Sequence, residues 1–201
     1  MNPQSNILGE HQETKIFYCH GWGSHFDPTK GKIRSLARMG HVSGITVDYT
    51  LHPQTVFEDY TRVLKQRPQA LIVGTSLGGF YAAWLGAELG LPFIAINPAV
   101  EPSKTLRAYL GRGVNHVGEH FELTESCVLA YEALSFRLDG CGTISVDLGD
   151  EILDAQATLN LVNGRLPVVA FEGGSHRFDH MEDLIERRPD LFNPQRTSKN
   201  T

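Results

Sequence analysis

The run ALIVGTSLGGFYAAWLG, residues 70–86, decides how the rest of the chain is read. It opens on four apolar residues, turns through Gly74-Thr75-Ser76-Leu77-Gly78, and continues into a helix-forming stretch rich in alanine, leucine and aromatic residues. The pattern G-x-S-x-G is weak evidence alone and gains weight from a buried strand before it and a helix after it. Both flanks are present here. A nucleophile on so sharp a turn needs strained backbone angles, and only small neighbours let strand and helix approach that closely. Gly74 and Gly78 stand at those two places. Ser76 is therefore the expected nucleophile. The Leu77 N–H, at the start of a helix with no carbonyl before it to bond, is one expected oxyanion donor. The plainer reading is a Gly-rich turn in which Ser76 caps a helix. A phosphate loop does not fit, because GTSLGG lacks the Lys-Ser/Thr ending and the dinucleotide glycine spacing.

Outward from this run, short apolar segments alternate with longer amphipathic ones. Strands are predicted over 15–20, 44–49, 70–75, 92–97, 143–148 and 167–172, and helices over about 29–39, 54–66, 77–89, 125–136, 152–162 and 180–187. Several strands are unbroken apolar runs, as strands buried on both faces require. Regular strand–helix alternation predicts an α/β protein with a mostly parallel sheet of about six strands covered by helices on both faces. Right-handed crossovers then fix most of its topology. Residues 1–14 and 189–201 read as flexible polar tails around one domain at 15–188. The interval 101–142 is twice as long as one crossover needs. It is predicted to hold two helices joined by an irregular GRGVNHVGEHF, and is either a long crossover or a cap over the site.

The other site residues should end other strands at the same edge. His20-Gly21-Trp22-Gly23 closes the first strand, and a turn of this kind can supply a second oxyanion N–H, from Trp22 or Gly21. Cys19 and His20 cannot form a thiol dyad, since neighbours on a strand face opposite ways. After the last strand, Gly173-Gly174-Ser175-His176 offers His176 as the base, with His180 as the fallback. After the preceding strand, Gly149-Asp150 offers Asp150 as the acid. Asp154, at the start of a helix, is the alternative, and Asp147, inside the strand, reads as structural. The resulting chain order Ser…Asp…His is that of α/β-hydrolases. The pocket walls are expected from Trp22, Phe26, Leu77, residues 97–99 and Phe178, and the substrate contacts from His20, Gly21, Phe26, Asn97 and Phe178. His25 and Arg177 raise the weaker idea of an acidic or phosphate-bearing substrate.

The 201 residues are 41% hydrophobic and 20% charged with net charge −5, which suits an ordinary globular protein and gives no basic stripe for nucleic acid. Three scattered cysteines argue against a disulfide scaffold and for a reducing compartment. With no apolar run long enough for a membrane helix and no secretory pattern, the expectation is a cytoplasmic protein without nucleic-acid or membrane partners. Oligomeric state is left open.

With these residues in view, the chain resembles the YqiA/YcfP-type family of small bacterial esterases. The resemblance spans about 15–186 and rests on FYCHGWGS, LIVGTSLGGFYAAWLG, INPAVEP, LGDEILD and FEGGSHRF. It implies an α/β-hydrolase fold and a cofactor-free esterase acting on short-chain acyl esters, with Ser76 as nucleophile, Asp150 as acid and His176 as base. Arg177 departs from the smaller residue found after the histidine in some members. Beside a serine esterase or thioesterase acting on small-molecule esters, two readings stay open. One is an acyltransferase or lyase using the same triad. The other is a non-catalytic binding protein of this fold.

Overall fold

The structure, a computed structural model, describes residues 13–115 and 118–193. In chain order it contains β1 (Lys15–Cys19), α1 (Gly31–Leu36), β2 (His41–Gly44), α2 (Pro53–Leu64), β3 (Leu71–Thr75), α3 (Leu77–Leu89) and β4 (Phe93–Ile96). Then follow α4 (Pro102–Leu106), β5 (Gly111–Val114), β6 (His120–Leu123), α5 (Glu125–Glu132), β7 (Gly142–Asp147), α6 (Ala155–Val162), β8 (Val168–Phe171) and α7 (Met181–Arg187). Six strands form one parallel sheet in the order β2-β1-β3-β4-β7-β8. This is the predicted α/β class and strand count.

The helices divide between the faces as right-handed crossovers demand. The chain steps outward from β1 to β2 through α1, then returns across β1 to β3 through α2, so the direction of travel reverses between β1 and β3. Ile33 and Leu36 of α1 pack with Met181, Leu184 and Ile185 of α7 against Ile16, Val73 and Ile96. The opposite face holds α2, α3, α5 and α6, with Tyr60, Phe80, Tyr131 and Val162 in one cluster against Phe17, Ile72 and Ile144. α3 is apolar on nearly every side because it lies in the middle of that layer, with all but its last few residues and Trp84 buried. Buried tyrosine hydroxyls pair with one another, Tyr49 with Tyr60 at 2.8 Å and Tyr81 with Tyr131 at 2.7 Å, so the core carries no unmet phenol among them.

Several boundaries differ from the sequence reading. The second strand lies at His41–Gly44, earlier than the predicted 44–49, and its first residue aligns with Lys15. Beyond Gly44 the chain leaves the ladder: the Val47 N–H donates at 3.1 Å to the imidazole Nε2 of His20. The predicted helix over 152–162 begins at Ala155, because the Asp154 carboxylate accepts from the Ala157 N–H and caps it. The helices read over 29–39, 54–66 and 125–136 end at Leu36, Leu64 and Glu132, and the last helix starts at Met181.

The interval 101–142 holds the two predicted helices, α4 and α5, but the link between them is not irregular. β5 and β6 form an antiparallel hairpin, in register from Gly111 opposite Leu123 to Val114 opposite His120, between α4 and α5. The glycines of GRGV hide the strand pattern. At Gly113 a Cβ would stand 2.5 Å from the Phe121 ring directly across the ladder, so the aromatic occupies the space the glycine leaves. The C-terminal boundary also moves. Pro189–Phe192 forms a 3₁₀ turn with Phe192 buried, and the Phe192 carbonyl accepts from the Thr14 hydroxyl at 2.8 Å. Of the predicted tails, 1–12 and 194–201 lie outside the described residues.

Candidate active site

Ser76 sits between β3 and α3 with φ 55° and ψ −123°. A non-glycine residue holds such angles at a cost of about 1–3 kcal/mol, so its surroundings must over-determine it. They do. The Ser76 N–H donates to the Ile96 carbonyl at 3.0 Å, and its own carbonyl accepts from the N–H groups of Gly79, Phe80 and Ala99. The glycines around it are steric necessities: a Cβ on Gly74 would lie 2.0 Å from the Gly78 carbonyl oxygen, and one on Gly78 2.2 Å from that of Cys19. α3 thus presses its first turn against the end of β1.

That contact brings the β1 turn to the serine. A Cβ on Gly21 would lie 3.2 Å from the Ser76 Cβ and 3.8 Å from its Oγ, so the Gly21 backbone borders the hydroxyl. Trp22, next in line, turns its indole outward to the hairpin and the residues before it. Its ring centre is 5.7 Å from that of Tyr109 and 5.3 Å, edge-on, from that of Phe121. Trp22, Tyr109, Leu110, Val114 and Phe121 line a cleft of about 280 Å³ between this turn and the hairpin.

The three triad candidates meet. His176 Nδ1 lies 2.9 and 3.1 Å from the two Asp150 carboxylate oxygens, where it donates its hydrogen, and Nε2 faces the Ser76 Oγ at 3.1 Å. The Asp150 side chain is 2% exposed. Its Oδ1 also accepts from the Ile152 and Leu153 N–H groups, each at 2.8 Å, so one carboxylate is fixed from two sides. The His176 N–H donates to Glu151 at 2.9 Å, and this backbone bond holds the Glu151 carboxyl below its ordinary pKa. Two loops are zipped together behind the pair: the Leu148 N–H donates to the Phe171 carbonyl and the Gly149 N–H to that of Gly173.

Other expected site residues have different places. His20 is buried and contacts no open cleft. Its Nε2 accepts from the Val47 N–H, its Nδ1–H donates to its neighbour's carbonyl on Gly21, and its own carbonyl accepts from the Tyr49 hydroxyl. Burial pulls its pKa down to about 4, so the ring stays neutral and holds residues 45–49 to the β1 turn. Asn97 is buried and its side chain is bonded on both ends; its amide donates to the Ser175 and His176 carbonyls and its Oδ1 accepts from the Asp147 N–H. Phe26 and Phe178 pack in the α1/α7 layer. A Cβ on Gly44 would strike the Phe26 ring, and Phe178 meets Phe171 edge-on at 5.9 Å. All four side chains pack into the layers or bond to neighbouring backbone, because residues near a strand end can turn into the layer as readily as toward the edge.

His180 does not approach Ser76; it pairs with Asp147, and Asp154 caps α6. His25 stands 3.8 Å from Asp27, and the Arg177 carbonyl accepts from Lys32. Glu151, Tyr109 and Phe121 went unforeseen, the first because it acts through a backbone N–H and the others because the hairpin was not visible. Among the described residues no group of three or more His, Cys, Asp or Glu side chains could hold a metal, and no helix is long and apolar enough to cross a membrane.

Comparison with known proteins bears on the family and the fold. A family model described as "Uncharacterised protein family (UPF0227)" matches residues 15–193. A UPF0227 protein of Shewanella sp. (strain MR-7) is 27% identical over 178 residues, covering 86% of this chain and 96% of the relative. One from Vibrio atlanticus is 28% identical over 179 residues, covering 85% and 95%. Among solved structures, Est1E from Butyrivibrio proteoclasticus superposes with TM-score 0.70 at 16% identity, over 90% of this chain and 88% of that one. Mouse alpha/beta hydrolase domain-containing protein 10 gives 0.69 at 17% identity, over 90% of each. Esterase B from Lactobacillus rhamnosis gives 0.64 at 14%, over 93% and 78%. The fold is the α/β-hydrolase fold.

Proposed function

The chain belongs to the UPF0227 family, and we propose that it is a serine hydrolase of the esterase or thioesterase type, with Ser76 as nucleophile, His176 as base and Asp150 as acid. The observation that carries this is the unbroken bond path from Asp150 through His176 to Ser76, with the hydroxyl on a strained turn at a helix start. A turn held at such angles against its own preference is a hypothesis of function with a physical reason.

In the reaction, Ser76 Oγ attacks the ester carbonyl carbon while His176 Nε2 takes the hydroxyl proton. Asp150 keeps the other ring nitrogen protonated and stabilises the imidazolium that forms. The carbonyl oxygen becomes an oxyanion facing the Leu77 N–H and the N–H of Trp22 or Gly21. The imidazolium then protonates the leaving alcohol or thiol as the acyl-enzyme forms. Water, activated by His176, releases the acid and restores the serine. The substrate is a small ester whose apolar part lies toward the cleft between Trp22 and the hairpin. The interval 101–142 acts as a cap that shapes this cleft.

Steady-state hydrolysis of p-nitrophenyl esters of increasing acyl length tests this reading. Ser76→Ala and His176→Ala should lower kcat by roughly 10³–10⁶-fold with the fold retained, and Asp150→Ala somewhat less. Turnover unaffected by all three changes would remove the triad from the mechanism.

A further inference from the structure

A second carboxylate–imidazole pair lies directly behind the first. Asp147 is three residues before Asp150, and His180 four residues after His176. Asp147 is fully buried at the end of β7. Its Oδ1 accepts from His180 Nδ1–H at 2.8 Å, while its Oδ2 accepts from the N–H groups of Ser175 at 3.2 Å and Asp179 at 2.7 Å. Those two amides bracket His176. The His180 ring lies flat on Phe171, centres 4.9 Å apart and planes within 5° of parallel. It is thus fixed by stacking as well as by its bond. Asn97 closes the arrangement, binding the Asp147 N–H with its Oδ1 and the Ser175 and His176 carbonyls with its amide.

The backbone is shaped to this carboxylate. Gly174 has φ 74°, and a Cβ there would stand 2.0 Å from the Asp147 Oδ2. Phe178 takes φ 60° and Asn97 φ 39°. With Ser76 these are all the non-glycine residues of positive φ among the described residues, and both new ones belong to this network or its loop. Strain of this kind persists only where bonds hold it. The side chains of Asp147, His180 and Asn97 bond to one another and to the backbone of residues 147, 175, 176 and 179.

We propose that Asp147, backed by His180, is a positioning residue: it clamps residues 175–179 so that His176 Nε2 stays aligned on Ser76. The role rests on the hydrolase reading given above. His176 stands on a loop, and its ring angle is set by that loop's backbone, which Asp147 holds on both sides of it. Loss of the clamp lets the base drift while the substrate cleft, built from the β1 turn and the cap, stays as it was.

The test compares Asp147→Ala, Asp147→Asn, His180→Ala and, as a control of similar stability loss in the same layer, Ile185→Ala. kcat and KM for p-nitrophenyl acetate are measured well below each variant's unfolding midpoint, alongside the rate of fluorophosphonate labelling. Asp147→Ala and His180→Ala should lower kcat about 10- to 100-fold, the scale of a misplacement near 1 Å, with KM within about twofold. Labelling should slow by the same factor. Asp147→Asn, which keeps an oxygen for the two amides, should recover most of the rate, and Ile185→Ala should keep it. If Asp147→Ala does not fold, His180→Ala and Asp147→Asn carry the same comparison. A kcat within twofold of wild type in Asp147→Ala, or in His180→Ala where Asp147→Ala does not fold, would overturn the clamp, as would an equal fall in Ile185→Ala. Ser76→Ala runs in parallel: its inactivity beside an active Asp147→Ala rejects the clamp alone, whereas a wild type without turnover or labelling rejects the hydrolase reading together with it.

Discussion

At Gly78 a single methyl group would lie 2.2 Å from the Cys19 carbonyl oxygen and 2.4 Å from that of His20, both backbone atoms with nowhere to go. Gly78→Ala must therefore push α3 off β1, and we expect a loss of about 3 kcal/mol or more, in the range reserved for such backbone clashes, read as a lower denaturant midpoint. His20 supplies a pH-dependent prediction. Its folded pKa of about 4 lies below the unfolded value near 6.5, so the unfolded chain binds the extra proton first. The stability it contributes is complete above about 6.5 and is lost as pH falls toward 4, a swing on the order of 3 kcal/mol. Wild type should therefore lose stability between those pH values more steeply than His20→Gln, measured by urea unfolding; parallel curves would contradict this. Ser76, Asp150 and His176 were legible because each follows a strand in a fixed chain order. His20, Asn97 and Phe178 carried equally suggestive positions, but only three-dimensional packing tells a side chain that lines a site from one that holds it up.

The cap hairpin is the element on which substrate size should depend. Tyr109 and Phe121 close on Trp22 from one side of the cleft, and neither touches the triad. Phe121→Ala and Tyr109→Ala should raise KM for hexanoate or benzoate esters about 10-fold, since an apolar group fitting such a cleft is worth roughly 1–3 kcal/mol, and leave acetate nearly unchanged. Equal effects on all esters would mean that the hairpin acts on stability and not on binding. The hairpin was unreadable in the sequence because Gly111 and Gly113 erase the alternation by which strands are found. α3, by contrast, was read to the residue: its apolar run is continuous, Ser76 precedes it, and Gly90 ends it at φ 64°. β2 failed for a different reason. GITVDY has better strand composition than HVSG, yet the pairing that forms is the one that starts beside Lys15, and His20 takes the Val47 amide that a longer ladder would have used.

Across the whole molecule, the sheet order places Ser76 where the direction of chain travel reverses, between β1 and β3. That is where open parallel sheets leave a crevice at the carboxyl ends of their strands. The β1 turn, Ser76, Asp150 and His176 all stand at this edge because every sheet strand is parallel, a consequence the alternating pattern already carried. The closing of the chain on itself was not so carried: Thr14 bonds to the Phe192 carbonyl, and Phe192 is buried under α7 in the layer of Leu184 and Ile185. Phe192→Ala should cost about 3–5 kcal/mol, seen as a fall in Tm, with little change in kcat below the transition. The central claim is that Ser76 is an activated nucleophile, and covalent capture tests it most directly. Wild type and Ser76→Ala are treated with a fluorophosphonate and their intact masses and peptides are compared. One adduct per chain on the peptide holding Ser76, absent from Ser76→Ala and slowed in His176→Ala, is the predicted result. No adduct on wild type, or one that persists in Ser76→Ala, would contradict it.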